Sequence, residues 1–286
     1  MKHFFVITNE KKDTGLQTTL FIQSYLSKHG AVCELSTEHD EVTEGTQCIL
    51  VLGGDGTLLQ AARDTFGRNI PLIGVNLGTV GFMAEVEKNH IKEALDALIA
   101  DQFTVEERMM LDGSFPLHRQ DTLSEPGAKE YAHYEMMEAH ALNDIVLTRQ
   151  GGLKVLTYEV FVNGQFLNQY HADGVIISTP TGSTGYNMSA GGPIVEPKAK
   201  LLLLTPICPH TLSPRSIILA AEDQIEIKIG YGRNGEEQEA FVNFDGSVAH
   251  RLTTGDVIRV SQSRQITYLL RISQAGFLEN LHNKMG

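Results

Sequence analysis

At 286 residues the chain is long enough to bury a full core and to divide into two domains. Hydrophobic residues make up 42% and charged residues 20%, ordinary globular values that exclude wholesale disorder, and no apolar run reaches the roughly 18–20 residues that span a bilayer. The net charge of −12 argues against nucleic acid or an anionic membrane as partners, since both need clustered Lys and Arg.

The same charge means that a phosphorylated ligand must be met by backbone amides, a few placed cations and a metal ion. Cys33, Cys48 and Cys208 lie far apart with no CxxC spacing, which fits free thiols in a reducing compartment and neither a disulfide framework nor a zinc site. The N-terminal stretch MKHFFVITNE is too briefly apolar for a signal peptide, so a cytoplasmic location is expected.

In chain order, HFFVIT (3–8) reads as a strand. Residues 14–29 read as a helix with Leu16, Leu20, Phe21 and Tyr25 on one face, ending at Gly30. AVCELS (31–36) and CILVL (48–52) are buried-type strands. Leu58, Leu59, Ala62 and Phe66 form a helical stripe closed by Gly67. IPLIGV (70–75) is another strand, and IKEALDALIA (91–100) another amphipathic helix. Strands alternating with helices predict a mainly parallel, Rossmann-like sheet. After about residue 104 short β-type segments dominate: ALNDIVL, LTYEVFV, QFLNQY, GVIIST, SIILA, QIEIKIG, EAFVNF, DVIRVSQ and QITYLLRI. Asn163-Gly164 is a strong hairpin signal, and Asn234-Gly235 and Thr254-Gly255-Asp256 mark further turns. A β-sandwich-like second domain is expected. The polar stretch 119–132 reads as a loop and GFLENLHNKM (276–285) as a short helix. The expected division is therefore an α/β domain over 1–106 and a β-rich domain over 107–264.

The strongest chemical signal is Gly53-Gly54-Asp55-Gly56-Thr57, where an apolar strand runs through three glycines into a helix. Glycine lets the backbone approach a ligand closely, and the helix N-terminus offers free N–H groups and a positive dipole end to phosphate. No Lys-Ser/Thr follows, so this is not a Walker A loop, and it is not GxGxxG. Asp55 puts a carboxylate where phosphate would come. That makes sense if it accepts a proton from an attacking hydroxyl or helps to hold Mg²⁺; the plainer alternative is a tight turn whose Asp caps the helix.

A second cluster runs from His171 to Pro197. After the strand GVIIST, twelve mostly small or hydroxylic residues (181–192) lay amides and the Thr181, Ser183, Thr184 and Ser189 hydroxyls against a polar ligand, with Tyr186 available to stack on a ring. The alternative is a flexible linker, against which the embedded Tyr186, Met188 and Pro193 argue. Asn143-Asp144 interrupts an apolar strand, as a ribose-binding pair or as a bulge. GVNLGTVGF (74–82), with Asn76, lines the same cleft on this reading. Asp245-Gly246 is a turn before it is a ligand contact. The eleven histidines are scattered and read mostly as structural.

Gly53–Thr57, the Asn143-Asp144 pair and DGVIISTPTGSTGYNMSAGGPI stand in the order and spacing of the NAD kinase family, and GVNLGTVGF, LTPICPHTLSPR (204–215) and the DGS at 245–247 extend the resemblance over nearly the whole chain. The glycine loop alone is shared with phosphofructokinases and with diacylglycerol and sphingosine kinases; the 179–193 segment narrows the choice. The resemblance implies an α/β domain plus a β-sandwich-like domain with the active site between them, the tail 265–286 returning to the first domain, and a homo-oligomer (dimer or tetramer). It implies ATP as phosphoryl donor, Mg²⁺ or another divalent metal, and NAD as acceptor through the 2′-hydroxyl of its adenosine ribose. Asp55 matches the catalytic carboxylate, with Gly54, Gly56 and Thr57 around it. Asn143 and Asp144 match ribose and adenine contacts, and Lys154 a basic ligand-binding position. Asp173 and the run Thr184, Gly185, Tyr186, Asn187, Met188 and Ser189 match further NAD contacts, as do Asp245 and Ser247. His171 stands where many members carry Arg, a departure that bears on a phosphate contact or on the choice between oxidised and reduced dinucleotide. Gly185 replaces a frequent Ala. Two rival readings are a lipid kinase using the same loop, which the net charge and the polar 181–192 segment disfavour, and a dinucleotide sensor without turnover.

Overall fold

The computed structural model describes residues 1–36, 42–78, 81–117, 135–149, 155–211, 215–247, 249–273 and 276–285. The expected loop at 119–132 lies outside the described residues. Two compact units emerge, one of residues 1–109, 196–198 and 264–286 and the other of residues 110–195 and 199–263.

The first unit begins β1 (His3–Thr8), α1 (Gln17–Lys28), β2 (Val32–Ser36), β3 (Cys48–Gly53), α2 (Asp55–Asp64), β4 (Leu72–Asn76), β5 (Val86–Glu87) and α3 (Ile91–Ile99). Its strands lie parallel in the order β2-β1-β3-β4, with β5 parallel to β4. Strand periodicity sorts the side chains onto two faces. Phe4, Val6, Cys48, Leu50 and Leu52 join Ile22 and Leu26 of α1 and Ile91, Leu95 and Leu98 of α3 in one core. On β4, Gly74 leaves room for the backbone of Ala84, whose Cα would lie 3.0 Å from a Cβ placed there. Every residue of β3 and β4 is buried, which explains their unbroken apolar runs.

The expected face of α1 needs correction. Leu20 and Phe21 are exposed (53% and 47%), and the buried residues are Thr18, Thr19, Ile22 and Leu26. Two threonines at the packed positions hide the true stripe, because their methyls are buried while their hydroxyls make them read as polar. Another strand went unannounced. β6 (Thr104–Leu117) runs for 14 residues across the division between the units, its first half masked by Glu106, Glu107 and Arg108.

The second unit continues with β7 (Glu135–Ala141), β8 (Asp144–Arg149), β9 (Leu156–Val162), β10 (Gln165–Ala172), β11 (Gly174–Ser178), a short α4 (Tyr186–Ser189), β12 (Leu201–Ile207), β13 (Ile217–Ala220), β14 (Ile225–Ile229), β15 (Glu239–Phe244) and β16 (His250–Thr253). Then β17 (Val257–Arg271) carries the chain back to the first unit, which ends in α5 (Phe277–Met285). The sequence reads β17 as two strands; it is one. One antiparallel sheet has the order β13-β12-β11-β8-β15-β16. β10, β9, β14 and the start of β17 pair antiparallel in another. Asn163 and Gly164 both take positive φ (51° and 75°) at the predicted hairpin. Fully buried Tyr158 on β9 donates its hydroxyl to Gly174 O at 2.9 Å, linking the two sheets, and burial pushes its pKa up.

The end of β17 carries a charge cluster of the first unit. Arg271 pairs with Glu85 (2.6 Å) and Glu106 (3.1 Å), and Glu106 also pairs with Arg108. Burial alone would raise the Glu106 carboxyl, but the two arginines outweigh it and hold it below its ordinary range. The Glu85 side chain is only 4% exposed and also accepts the amides of Ile272 and Ser273. Arg271→Ala should therefore destabilise the protein by about 3 kcal/mol, since it leaves the buried Glu85 carboxylate without its cation while Glu106 keeps Arg108. Urea unfolding measures this, and a change below about 1 kcal/mol, the range of a surface ion pair, would refute it.

Candidate active site

In the first unit the chain passes from β3 straight into α2 at the glycine loop. Thr57 Oγ1 accepts the Gly54 amide at 3.5 Å, and the amides of Thr57 and Leu58 return to Gly54 O at 2.9 and 3.2 Å. The N–H groups of Asp55 and Gly56 precede these bonds and, among the described residues, have no acceptor at the helix N-terminus. Gly53 has to be glycine, because a Cβ there would lie 2.2 Å from Thr57 Oγ1. Beside this loop runs the segment after β4: Gly53 pairs in register with Asn76, whose Oδ1 accepts the Gly78 amide at 3.0 Å.

Asp55 is half-buried and is aimed by that second segment. Its Oδ2 accepts the Phe82 amide at 2.7 Å and its Oδ1 the Met83 amide at 3.2 Å. A Cβ on Gly81 would fall 2.0 Å from Asp55 Oδ1. Each carboxylate oxygen keeps a lone pair free for a further donor.

In the second unit the residues before β8 and after β11 pack together. Thr179 donates its amide to Asn143 O (2.8 Å) and its hydroxyl to Leu142 O (2.6 Å). Asp245 anchors the pair from the other side, its carboxylate accepting the amides of Leu142, Asn143 and Asp144 at 2.8, 2.7 and 3.1 Å. Asp245 and Gly246 both have positive φ, so this residue is at once the turn and the anchor. A Cβ on Gly185 would lie 3.4 Å from Asn143 Nδ2 and 3.9 Å from Asp144 Oδ2, so both side chains border the 181–189 turn. Asn143 Oδ1 is buried and, among the described residues, has no hydrogen-bond partner, a polar atom placed to meet something else.

Residues 4–103 match the family model of the ATP-NAD kinase N-terminal domain, and residues 142–272 that of the ATP-NAD kinase C-terminal domain. The NAD kinase of Agathobacter rectalis is 43% identical over 297 residues, covering 100% of this chain and 99% of that protein. The chain belongs to the NAD kinase family. The NAD kinase of Lachnospira eligens is 39% identical over 307 residues, covering 100% of both chains. Two solved structures share the fold. Yeast NADH kinase complexed with NADH has a TM-score of 0.81 at 23% identity, covering 100% of this chain and 88% of that one. An Archaeoglobus fulgidus NAD kinase in complex with ATP has 0.77 at 24%, covering 99% and 98%.

The NAD kinase motif residues fall into separate groups. Gly54, Asp55, Gly56, Thr57 and Asn76 gather in the first unit. Asn143, Asp144, Gly185 and Asp245 gather in the second, with Thr184, Tyr186, Met188 and Ser189 on the adjoining turn. The expected ligand-facing hydroxyls of Thr181 and Ser183 need correction: both residues are buried, and Ser183 Oγ bonds Pro180 O (2.7 Å) and the Val195 amide (3.0 Å). Asn187 is likewise fully buried, its amide bonding Ser183 O, Pro193 O and the Thr205 hydroxyl. A tight helical turn alternates inward and outward residues, which a composition-based reading cannot see. His171 and Asp173 lie before β11 whereas the 181–189 turn follows it, a strand's length of about 17 Å away. Asp173 pairs with Arg149 at 2.7 Å, and His171 Nδ1 lies 3.0 Å from Thr157 Oγ1. His171 also lines a cavity of about 380 Å³ with Tyr170, Pro209, His210 and Arg215. Ser247 is exposed past the Asp245 turn, and Lys154 lies outside the described residues.

Sequence reading missed the amides of Phe82 and Met83, which no side-chain pattern advertises.

Asp144 is 5% exposed, and its pKa is raised from 3.8 to about 7, first by burial and then by the Asp245 charge. Because the folded state holds this proton more tightly than the unfolded chain, the group's contribution to stability falls as pH rises from about 4 to about 7 and is constant above. Asp144→Asn should therefore stabilise the ligand-free protein more at pH 8 than at pH 5. Urea midpoints at the two pH values provide the comparison, and equal gains would contradict the shift.

Proposed function

We propose that this chain transfers the γ-phosphoryl group of ATP to the 2′-hydroxyl of the adenosine ribose of NAD, giving NADP and ADP, with Asp55 as the base. The observation that carries the assignment is the aimed Asp55 carboxylate at the mouth of an open helix N-terminus. An alcohol is a weak nucleophile at neutral pH. As the bond from the ribose oxygen to Pγ forms and the bond from Pγ to the bridging oxygen breaks, the hydroxyl proton passes to Asp55 and ADP departs. The amides of Phe82 and Met83 fix the orientation of the base, while the open amides of Asp55 and Gly56 and the dipole of α2 stabilise charge on the transferring group.

Mg²⁺ belongs to the donor in this scheme, arriving as MgATP and offsetting phosphate charge. Among the described residues no three His, Cys, Asp or Glu side chains cluster as a metal site. For the dinucleotide, Asn143 and Asp144 supply an amide and a carboxyl of the kind that bind ribose hydroxyls and adenine. Thr184, Gly185, Tyr186, Met188 and Ser189 offer further contacts, with His171, Asp173, Lys154 and Ser247 in the same scheme, while Asn187 and Asp245 act by holding the binding segments in place. A homo-oligomer in the cytoplasm completes the reading; the edge strand β10, with Phe166 exposed by 59%, supports self-association. No helix among the described residues is long and apolar enough to cross a membrane.

Formation of NADP from NAD and MgATP tests the reaction. Asp55→Asn should retain NAD binding and lose on the order of 10²–10⁴-fold in kcat, the usual contribution of a positioned base. A kcat near that of the unaltered enzyme would rule out the base role.

A further inference from the structure

The turn after β1 carries a cation to the glycine loop. Asn9 closes this turn: its amide donates to Leu52 O at 3.0 Å, one residue before Gly53, and its carbonyl accepts the amides of Lys12 and Asp13, each at 2.9 Å. Asp13 pins the other side, its buried carboxylate accepting the amides of Thr18 and Thr19 at 2.9 Å and the Thr19 hydroxyl at 2.7 Å. Burial alone would raise the Asp13 carboxyl, but these bonds outweigh it and hold it below its ordinary range. It remains an anion whose charge is spent on α1.

Between these anchors Lys12 reaches over the loop. A Cβ on Gly54 would lie 2.8 Å from Lys12 Nζ, and one on Gly78 3.8 Å away. Among the described residues no carboxylate pairs with it, although the chain carries 35 Asp and Glu. Strand order explains how it comes to be there. β1 connects through α1 to β2 on one side, and β3 then pairs on the other side of β1. The chain leaves β1 and β3 in opposite directions at their carboxyl ends, opening the crevice in which doubly wound sheets bind ligands. The 9–13 turn and the glycine loop are its two lips. Lys12 lies on the Gly54–Gly78 side of the loop, and the Asp55 carboxylate on the Gly81–Met83 side.

We infer that Lys12 is a phosphate-binding residue for the donor, holding the part of the ATP phosphate chain that trails away from the transferring γ-phosphoryl group. This rests on the reading of residues 53–57 as the phosphoryl-transfer loop. The base stands at the acceptor end, so the leaving ADP must extend away from it, and Lys12 offers its charge where negative charge grows on that leaving group. An ammonium suits this position because it is a compact point charge on a flexible stem.

The test is steady-state kinetics of the full-length enzyme with MgATP and NAD varied in turn. Lys12→Gln should lower kcat/KM for ATP by about tenfold or more, the scale of one charge-assisted phosphate contact, and leave KM for NAD unchanged. Lys12→Arg should restore most of the loss, a rescue that a purely structural role would not predict. Lys11→Gln, on the same turn but away from the glycines, should behave as wild type. Because Lys12 is exposed, its variants should unfold at the wild-type temperature. An unchanged kcat/KM for ATP in Lys12→Gln, or an effect confined to KM for NAD, would overturn the inference. If Asp55→Asn is inactive while Lys12→Gln is normal, the inference fails and the loop reading stands; if Asp55→Asn keeps full turnover, the loop reading itself fails.

Discussion

Two backbone amides, those of Phe82 and Met83, hold the Asp55 carboxylate at the opening of a helix that is built to attract phosphate. A carboxylate and a polyphosphate in one crevice repel each other, so the position of the anion has to be set by the protein before the ligand arrives. Much of the first unit serves that end. The register of β3 with β4 places Gly53 opposite Asn76, and Asn76 turns the chain at Gly78 so that residues 81–83 come back against Asp55. Gly81 leaves space for the carboxylate, and Gly53 leaves space for the Thr57 side chain that starts α2. Each of these steps is a backbone constraint, which is why glycine recurs where the side chains themselves do little.

The second unit solves a related problem with opposite means. Asp245 spends its charge on three consecutive amides, which stiffens the segment carrying Asn143 and Asp144. The anchor has an electrostatic consequence, because it lies close enough to add to the burial that already raises Asp144. A carboxyl with a pKa near 7 is partly protonated at neutral pH, so it can donate as well as accept when it meets a hydroxyl-rich ligand. The neighbouring amide of Asn143 likewise offers both a donor and an acceptor, with its oxygen still unpaired. The pair therefore suits a ligand with mixed hydrogen-bonding groups better than one that is purely anionic.

What could be read in advance follows from whether a feature is local in sequence. The alternation of β1, α1, β3 and α2, the Asn163-Gly164 hairpin and the glycine loop are all local, since periodicity and positive φ leave their marks within a few residues. The packed face of α1 was misread because Thr18 and Thr19 bury methyls under a polar label. The Thr181 and Ser183 hydroxyls read as ligand-facing because composition gives no direction to a helical turn. Lys12 was invisible for a different reason: 42 residues separate it from Gly54, and only the pairing of β3 beside β1 brings them together. Long-range strand order, and not residue type, made it part of the site.

That placement also bears on how a chain of net charge −12 handles ligands that are themselves anions. A general basic surface would attract nucleotides but would also attract every other polyanion, and here the field at a distance is repulsive. Attraction must then arise only at close range, from dipoles and from cations not neutralised by their neighbours. At short separation a single ammonium outweighs many screened surface carboxylates, because those beyond about one Debye length of 8 Å contribute little. An acidic exterior with a lysine over the helix N-terminus therefore discriminates by geometry: a phosphate gains the interaction only once it has entered the crevice in register with Gly54 and Gly78.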